Sequence, residues 1–354
     1  MQSTPSSWSD HDISYPQYDA AVVIGRFQPF HNGHVRLIEE AKKYSKNIIV
    51  LVGSSHIAPN TKNPFPYQLR DKMIRSVFPD VLVASVTDDL YNDQQWIAQV
   101  HAAVQRLTAA NNISSNRICL VGHKKDQSSW YLDAFPKWDY KSVEPVANCD
   151  GTEIRTTLFG IRAFSKDIPS AVKTVLKDWS TNCFDEFERL VDEYHFLKKY
   201  RQQFSSLPYP PIFVTTDSVV INNGFILLVK RGAHPGKGLW ALPGGFVNAD
   251  ERIQDGMIRE LREETRISIN DLSLKAALRG THVFDAPGRS LRGRTITHAG
   301  LFVLNEQDLP KVRGSDDAEK AKWIPISDFY SLGMKEQMYE DHWSIASYMI
   351  NRAG

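Results

Sequence analysis

Short apolar runs alternate with amphipathic stretches over the first half of this chain. Ala20–Ile24, Ile48–Val52, Val81–Val86, Ile118–Val121 and Lys141–Val143 read as strands. Residues 34–45, 67–77, 94–110 and 153–163 read as helices; in the first of them Val35, Leu37, Ile38, Ala41 and Tyr44 recur at helical spacing. Strand and helix in turn predict an α/β fold with a parallel, doubly wound sheet and a ligand crevice at the carboxyl ends of its strands. Gly25, Gly53 and Gly122 each follow a strand on that side.

From about residue 169 to 204 the pattern becomes helical and charged, with Phe184, Phe187, Leu190, Val191, Tyr194 and Leu197 along one stripe. Residues 169–206 are therefore read as bridging helices. Leu207-Pro208-Tyr209-Pro210-Pro211 is a stiff break and the best domain boundary. Beyond it Ile212–Thr216, Ser218–Ile221, Phe225–Lys230 and Gly300–Leu304 read as strands, with a last helix around 341–350. The expected organisation is a first domain at 19–168 and a second at 207–354, joined by the bridge. Residues 1–18 are polar, lack an apolar targeting core and read as a disordered lead-in.

A length of 354 residues suits two domains, each able to bury a core. Lysine and arginine (42) balance aspartate and glutamate (41), which excludes a general nucleic-acid surface. Runs of about 18 apolar residues, as a helical membrane span needs, do not occur. Cys119, Cys149 and Cys183 have no metal-ligand spacing and read as free thiols of a reducing cytoplasm. Oligomeric state, including a homo-oligomer, stays open at this level.

Two segments carry chemistry. In GFVNADERIQDGMIRELREETRI (245–267), Glu260, Glu263 and Glu264 stand at i, i+3 and i+4, so on a helix they converge behind a glycine turn. Three carboxylates at one place repel unless a cation joins them, and hard oxygen ligands point to Mg²⁺ or Mn²⁺. The competing reading is a solvated acidic face paired with Arg259 and Arg262. In AAVVIGRFQPFHNGH (20–34), His31 and His34 fall at a strand–loop–helix junction, where free N–H groups and the helix dipole favour phosphate. With Arg26 they could grip a nucleoside triphosphate.

The first of these segments resembles the Nudix hydrolase box: Gly245, Glu251, Arg259-Glu260-Leu261 and Glu263-Glu264, after the run Leu239-Trp240-Ala241-Leu242-Pro243-Gly244-Gly245. One departure is Arg266, where the family usually has glycine; that glycine lets the helix end in a left-handed turn. The second segment resembles the nucleotidylyltransferase superfamily signature in Gly25, Phe27, Pro29, His31 and His34. Thr61-Lys62-Asn63-Pro64-Phe65, Asp89 with Trp96, Gly122-His123-Lys124-Lys125-Asp126, Ser128-Ser129-Trp130-Tyr131-Leu132 and Gly151-Thr152-Glu153-Ile154-Arg155 are similar to the archaeal-type nicotinamide mononucleotide adenylyltransferases. Lys62 stands where that family often has arginine, keeping charge but losing the bidentate fork.

The two resemblances together imply a Rossmann-like nucleotidylyltransferase domain followed by a Nudix α/β/α sandwich. They further imply ATP and nicotinamide mononucleotide as substrates of the first domain and ADP-ribose as substrate of the second. The expected catalytic residues are Arg26, His31, His34, Lys62 and Arg155 in the first, and Glu260, Glu263 and Glu264, also the metal ligands, in the second. Substrate contacts are expected from Gly25, Phe27, Asp89, Trp96, Gly122, Lys125, Asp126 and Thr152, and from Arg292 and Arg294 in the glycine-rich GRSLRGRT loop. Glu251 and Arg259 are expected to brace the turn, and Asp316, Asp317 and Glu319 are candidates for a further carboxylate or base. Two rivals stay open: another nucleoside diphosphate compound as Nudix substrate, or a non-catalytic ADP-ribose sensor. The Pro-rich break implies that each half works without the other.

Overall fold

A computed structural model of the chain describes residues 17–124, 127–146, 149–314 and 318–352. The first half runs β1 (Ala20–Gly25), α1 (Asn32–Ala41), β2 (Ile48–Val52), α2 (Tyr67–Val77), β3 (Leu82–Ser85), α3 (Asp93–Ala110), β4 (Ile118–Gly122), a short 3-10 helix (Gln127–Asp133), β5 (Asp139–Ser142) and α4 (Gly151–Ile161). The five strands are parallel in the order β3-β2-β1-β4-β5. The order reverses between β1 and β4, and in such sheets the ligand crevice opens at that switch point. The fully apolar strands β1, β2 and β4 are the buried central three. The fifth strand begins at Asp139 and not at Lys141, because as an edge strand it needs no apolar run.

Next come α5 (Ser170–Asn182) and α6 (Phe184–Gln202). Val172, Val175, Leu176 and Trp179 of α5 and Phe187, Leu190 and Val191 of α6 enter the core beneath β1 and β2, so the bridge packs on the first sheet. It also reaches the second half: Glu193, 1% exposed, accepts from Gly236 N–H at 2.9 Å, and Arg201 donates to Leu291 O.

The second half contains β6 (Ile212–Asn222), β7 (Phe225–Arg231), β8 (Trp240–Ala241), β9 (Gly244–Phe246), α7 (Ile253–Thr265), α8 (Asp271–Ala277), β10 (Leu278–Phe284), β11 (Arg294–Val303), β12 (Ala318–Pro325), α9 (Ile326–Phe329), α10 (Leu332–Lys335) and α11 (His342–Ile350). Its mixed sheet has the order β10-β11-β6-β7-β12, with β8 on β7 and β9 on β6. The two runs read as separate strands around Asp217 form one strand, β6, because Thr215 to Asn222 are all buried between layers and polarity does not mark an end there. Helix α7 buries Met257, Ile258 and Leu261 against one face, while α11 covers the other with Ile345, Ala346 and Met349.

Candidate active sites

His31 is the N-cap of α1, and the local sequence closes a capping box. Gly33 N–H donates to His31 Nδ1 and His31 N–H donates to His34 Nδ1, each at 3.2 Å. The rings stack with centroids 3.7 Å apart. Burial pushes His31 down to about 4 and His34 well below the usual imidazole range. Both are therefore neutral near pH 7, and an accepting Nδ1 leaves the hydrogen on Nε2. The pair offers hydrogen-bond donors; the positive charge must come from elsewhere.

It comes from three cations gathered around that pair. Arg155 lies on α4, one turn inside the N-terminus that Asp150 caps. It donates to Gln28 O at 2.6 Å and to Thr152 Oγ1 at 3.2 Å. A methyl group on Gly151 would meet Arg155 Nη1 at 3.2 Å and His31 Nε2 at 3.8 Å, so the glycine opens a small gap between the two remote motifs. Burial lowers Arg155 to about 10, and nearby Arg26 adds to the effect. Lys62 is lowered by burial and then by Arg26. Like charges held together at the switch point are costly without an anion between them.

The remaining predicted contacts fare differently. Gly25 and Gly122 end β1 and β4 beside the crevice. A Cβ on Gly122 would lie 2.6 Å from Leu132 Cδ2, so a side chain there would displace that leucine. Phe27 is 1% exposed, with its ring 4.7 Å from His34, so only its backbone can face a ligand; its left-handed φ of 52° turns the side chain into the core. Trp96 is half-buried, with Trp130 and Tyr131 within 6 Å, leaving part of the ring open. Asp89 accepts from Tyr91 N–H at 3.3 Å within its own loop. Lys124 is engaged by Asp133 at the surface. Lys125 and Asp126 lie outside the described residues.

Sequence reasoning missed Arg70. Its side chain, 1% exposed, donates to Arg26 O (2.7 Å), Gly53 O (2.6 Å), Ser54 O (3.1 Å) and Ser55 Oγ (3.3 Å). It thus ties the loops after β1 and β2 together. A lone arginine in an amphipathic helix gives no signal of this, since most such residues are solvated. Asp88, which accepts from Ser54 N–H at 2.9 Å and from its hydroxyl, was also missed.

In the second half, a Cβ on Gly244 would lie 2.0 Å from Thr216 O, and one on Gly245 would lie 2.6 Å from Glu260 Oε1. Glycine at 244 lets β9 lie against β6, and Gly245 leaves room for the Glu260 carboxylate, which brings the backbone onto the glutamate face. Glu264 accepts from Gly244 N–H at 3.0 Å. Arg259 braces the turn through Glu251 as expected, and the pair is bidentate, with Nε–Oε2 at 2.9 Å and Nη2–Oε1 at 2.7 Å.

The three glutamates expected as metal ligands do not form the single cluster that helix spacing alone implies. Arg259 Nη1 takes Glu260 Oε1 (2.8 Å) and Glu263 Oε2 (2.7 Å), while Glu264 turns toward β9. No cluster of three metal-ligating side chains forms among the described residues. The guanidinium relieves the carboxylate repulsion by pairing with two of them. Burial raises Glu260 and pushes Glu264 up to about 8. Hard oxygen donors that are desolvated and mutually repelling fit a divalent cation.

Arg292 lies 4.7 Å over the Phe246 ring, beside the glycine turn. Arg294 is turned instead to Asp285, donating to its carbonyl. Trp323 donates to Pro310 O and packs. Asp316, Asp317 and the side chain of Glu319 lie outside the described residues. A buried carboxylate that periodicity did not reveal, Asp217, accepts from Thr297 Oγ1 at 2.6 Å and lies 3.7 Å from His342 Nδ1.

A doubly wound sheet with stacked histidines at its switch point, followed by a glycine-cradled glutamate helix on a mixed sheet, defines a nucleotidylyltransferase–Nudix protein. Family models agree, a cytidylyltransferase-like domain matching residues 22–155 and a NUDIX domain matching residues 213–348. The chain is 32% identical to a nicotinamide/nicotinic acid mononucleotide adenylyltransferase of Acinetobacter baylyi, over 54% of this chain and 97% of that one. It is 31% identical to an ADP-ribose pyrophosphatase of Methanocaldococcus jannaschii, over 41% of this chain and 78% of the relative. The structure of a bifunctional NMN adenylyltransferase/ADP ribose pyrophosphatase from Francisella tularensis, complexed with AMP and a Mn ion, is similar at 38% identity. Its TM-score is 0.86, over 95% of this chain and 100% of that one. The chain belongs to the bifunctional NMN adenylyltransferase/ADP-ribose pyrophosphatase family.

Proposed function

We propose that the chain joins and cleaves adenylate-bearing phosphoanhydrides at two sites. The first transfers adenylyl from ATP to nicotinamide mononucleotide, giving NAD and pyrophosphate; the second hydrolyses ADP-ribose to AMP and ribose 5-phosphate. The observation that carries this reading is the joining, in one chain, of the cation–histidine crevice at the β1/β4 switch point to a glycine-cradled glutamate face.

In the first site a phosphate oxygen of the mononucleotide attacks the α-phosphorus of ATP in line, and the bond to the bridging oxygen breaks as pyrophosphate leaves. The protein contributes no covalent nucleophile. Arg26, Lys62 and Arg155 neutralise the spreading charge, while His31 and His34 donate from Nε2 without adding charge. Thr152, at the α4 N-terminus, takes part in holding the outer phosphates. Gly25 and Gly122 let backbone approach the nucleotide. Asp89 accepts from the carboxamide and Trp96 stacks on the pyridine ring.

In the second site Glu260, Glu263 and Glu264 would hold Mg²⁺, with Mn²⁺ suited to the same donors. Bound there, such a cation would supply charge neutralisation for the diphosphate and acidity for an attacking water. Arg259 and Glu251 fix the turn, and Arg292, stacked on Phe246, faces the diphosphate. Arg294 holds the loop that carries Arg292. Among the described residues, no helix is long and apolar enough to cross a membrane. The substrates suit an enzyme of the cytoplasm.

The test incubates purified protein with ATP, nicotinamide mononucleotide and Mg²⁺, and separately with ADP-ribose, NADH, a dinucleoside polyphosphate and a nucleoside triphosphate. Chromatography should resolve NAD in the first case, and AMP with ribose 5-phosphate from ADP-ribose. ADP-ribose bound in calorimetry but not turned over would replace the second activity with the sensor reading.

A further inference from the structure

The loop between β3 and α3 carries Asp89, the carboxylate proposed to meet the nicotinamide end of the mononucleotide. Within the loop, Tyr91 N–H donates to Asp89 Oδ1 at 3.3 Å. The Tyr91 side chain, however, leaves its own domain. Its ring packs against the second domain's core, 4.8 Å edge-on to Phe284, and its hydroxyl donates to Asp341 Oδ2 at 2.5 Å. Asp341 is gripped in turn by Arg289 through Nε and Nη2, both at 2.8 Å. Those two side chains, Arg289 and Asp341, are 3% and 1% exposed. Such a pair adds little over an apolar contact in net stability but holds one geometry.

Other contacts frame the same approach. His56 joins Glu336 at 2.9 Å and Ser85 Oγ at 3.3 Å. A methyl on Gly288 would lie 3.5 Å from Lys62 Nζ. The second domain therefore abuts both loops that flank the mononucleotide side of the first site.

We propose that Tyr91 is a positioning residue for adenylyl transfer: Asp341 and Arg289 of the Nudix domain hold its hydroxyl, and its backbone N–H thereby places Asp89 against the mononucleotide. This role for Tyr91 rests on the mononucleotide contact proposed for Asp89. The Nudix domain is then a structural part of the first site, and the halves are not independent in the way the Pro-rich break suggests.

The test uses the full chain with Tyr91→Phe, Asp341→Asn, Asp89→Ala and the Tyr91→Phe/Asp89→Ala double variant. KM values for the mononucleotide and for ATP are measured separately, with ADP-ribose hydrolysis followed in the same preparations. Loss of a hydrogen bond to a buried charge should raise the mononucleotide KM about five-fold or more in Tyr91→Phe, while the ATP KM and ADP-ribose turnover stay within about two-fold. Asp341→Asn should split the two KM values in the same direction. Because Tyr91 acts through Asp89, the double variant should be no worse than Asp89→Ala alone. An unchanged mononucleotide KM in Tyr91→Phe, equal rises in both KM values, or additive losses in the double variant would overturn the proposal. If Asp89→Ala itself leaves the mononucleotide KM unchanged, the assignment of Asp89 falls and takes the proposal with it.

Discussion

Replacing Arg70 by lysine should cost the first domain on the order of 3 kcal/mol, because at least two charge-assisted bonds at about 1.5–3 kcal/mol each are lost. The structure sets the count. Two guanidinium nitrogens serve four acceptors on two loops, Arg26 O and Gly53 O from Nη1 and Ser54 O and Ser55 Oγ from Nη2. A single ammonium cannot span both pairs. Burial already lowers Arg70 to about 10, and a lysine in that place starts from a lower ordinary value, so it is driven toward neutrality. Since Arg26 and Gly53 belong to the loops lining the crevice, adenylyl transfer should lose at least about ten-fold in kcat even where the domain is folded, as small displacements of positioning groups do. Denaturant titration followed by first-domain activity gives the stability. ADP-ribose hydrolysis in the same sample serves as the control for the second domain. An Arg70→Lys protein within about 0.5 kcal/mol of the parent, the range of ordinary surface changes, and with unchanged kcat would refute the reasoning.

Other parts of the molecule give further expected outcomes. Glu264→Gln should lower ADP-ribose hydrolysis by at least about 100-fold, beyond the usual loss from removing an outer partner of a metal ligand, with weaker Mg²⁺ dependence and little loss of fold; hydrolysis at parental metal dependence refutes the ligand assignment. Arg266 ends α7 in the left-handed region at φ 44°, so Arg266→Gly should stabilise the second domain by up to about 1 kcal/mol, read as a raised unfolding midpoint; a lowered one would show that the side chain matters more than the strain. Trp96→Ala should raise the KM for nicotinamide mononucleotide several-fold and that for ATP far less, given about 0.5–1.5 kcal/mol for an aromatic stack; equal rises support packing alone. Burial holds His31 at about 4 and His342 at about 3. Their stabilising contribution is therefore complete above the unfolded value near 6.5 and is lost as pH falls from there through about 4, at roughly 1.4 kcal/mol per pH unit for each. An unfolding midpoint that stays flat between pH 6.5 and 4 would mean that these imidazoles ionise within the fold.

Much of this molecule is local and therefore readable from sequence. The apolar runs at Ala20, Ile48 and Ile118 mark strands buried on both faces, and the capping geometry of His31 and His34 follows from two imidazoles three residues apart at a helix start. Gly244 announces a close backbone approach that only glycine permits. The left-handed end of α7 was also legible, as a family position where Arg266 replaces glycine. Strands β10 and β12 were not, because β10 is largely exposed and β12 is charged along much of its length.

What tertiary structure decided depends on partners far apart in the chain. Helix spacing puts Glu260, Glu263 and Glu264 on one face, but Arg259 turns the first two and the Gly244 N–H turns the third. The charge state of His31 and His34 is set by burial, which no local pattern encodes. Arg70 gains its role only when the loops after β1 and β2 close over its guanidinium. Tyr91 meets Asp341 across 250 residues of sequence. A residue type and its neighbours fix the backbone it prefers and the chemistry it can offer. Desolvation and long-range hydrogen bonds fix which proton it holds and which atom it touches, and those arise only when remote segments pack together.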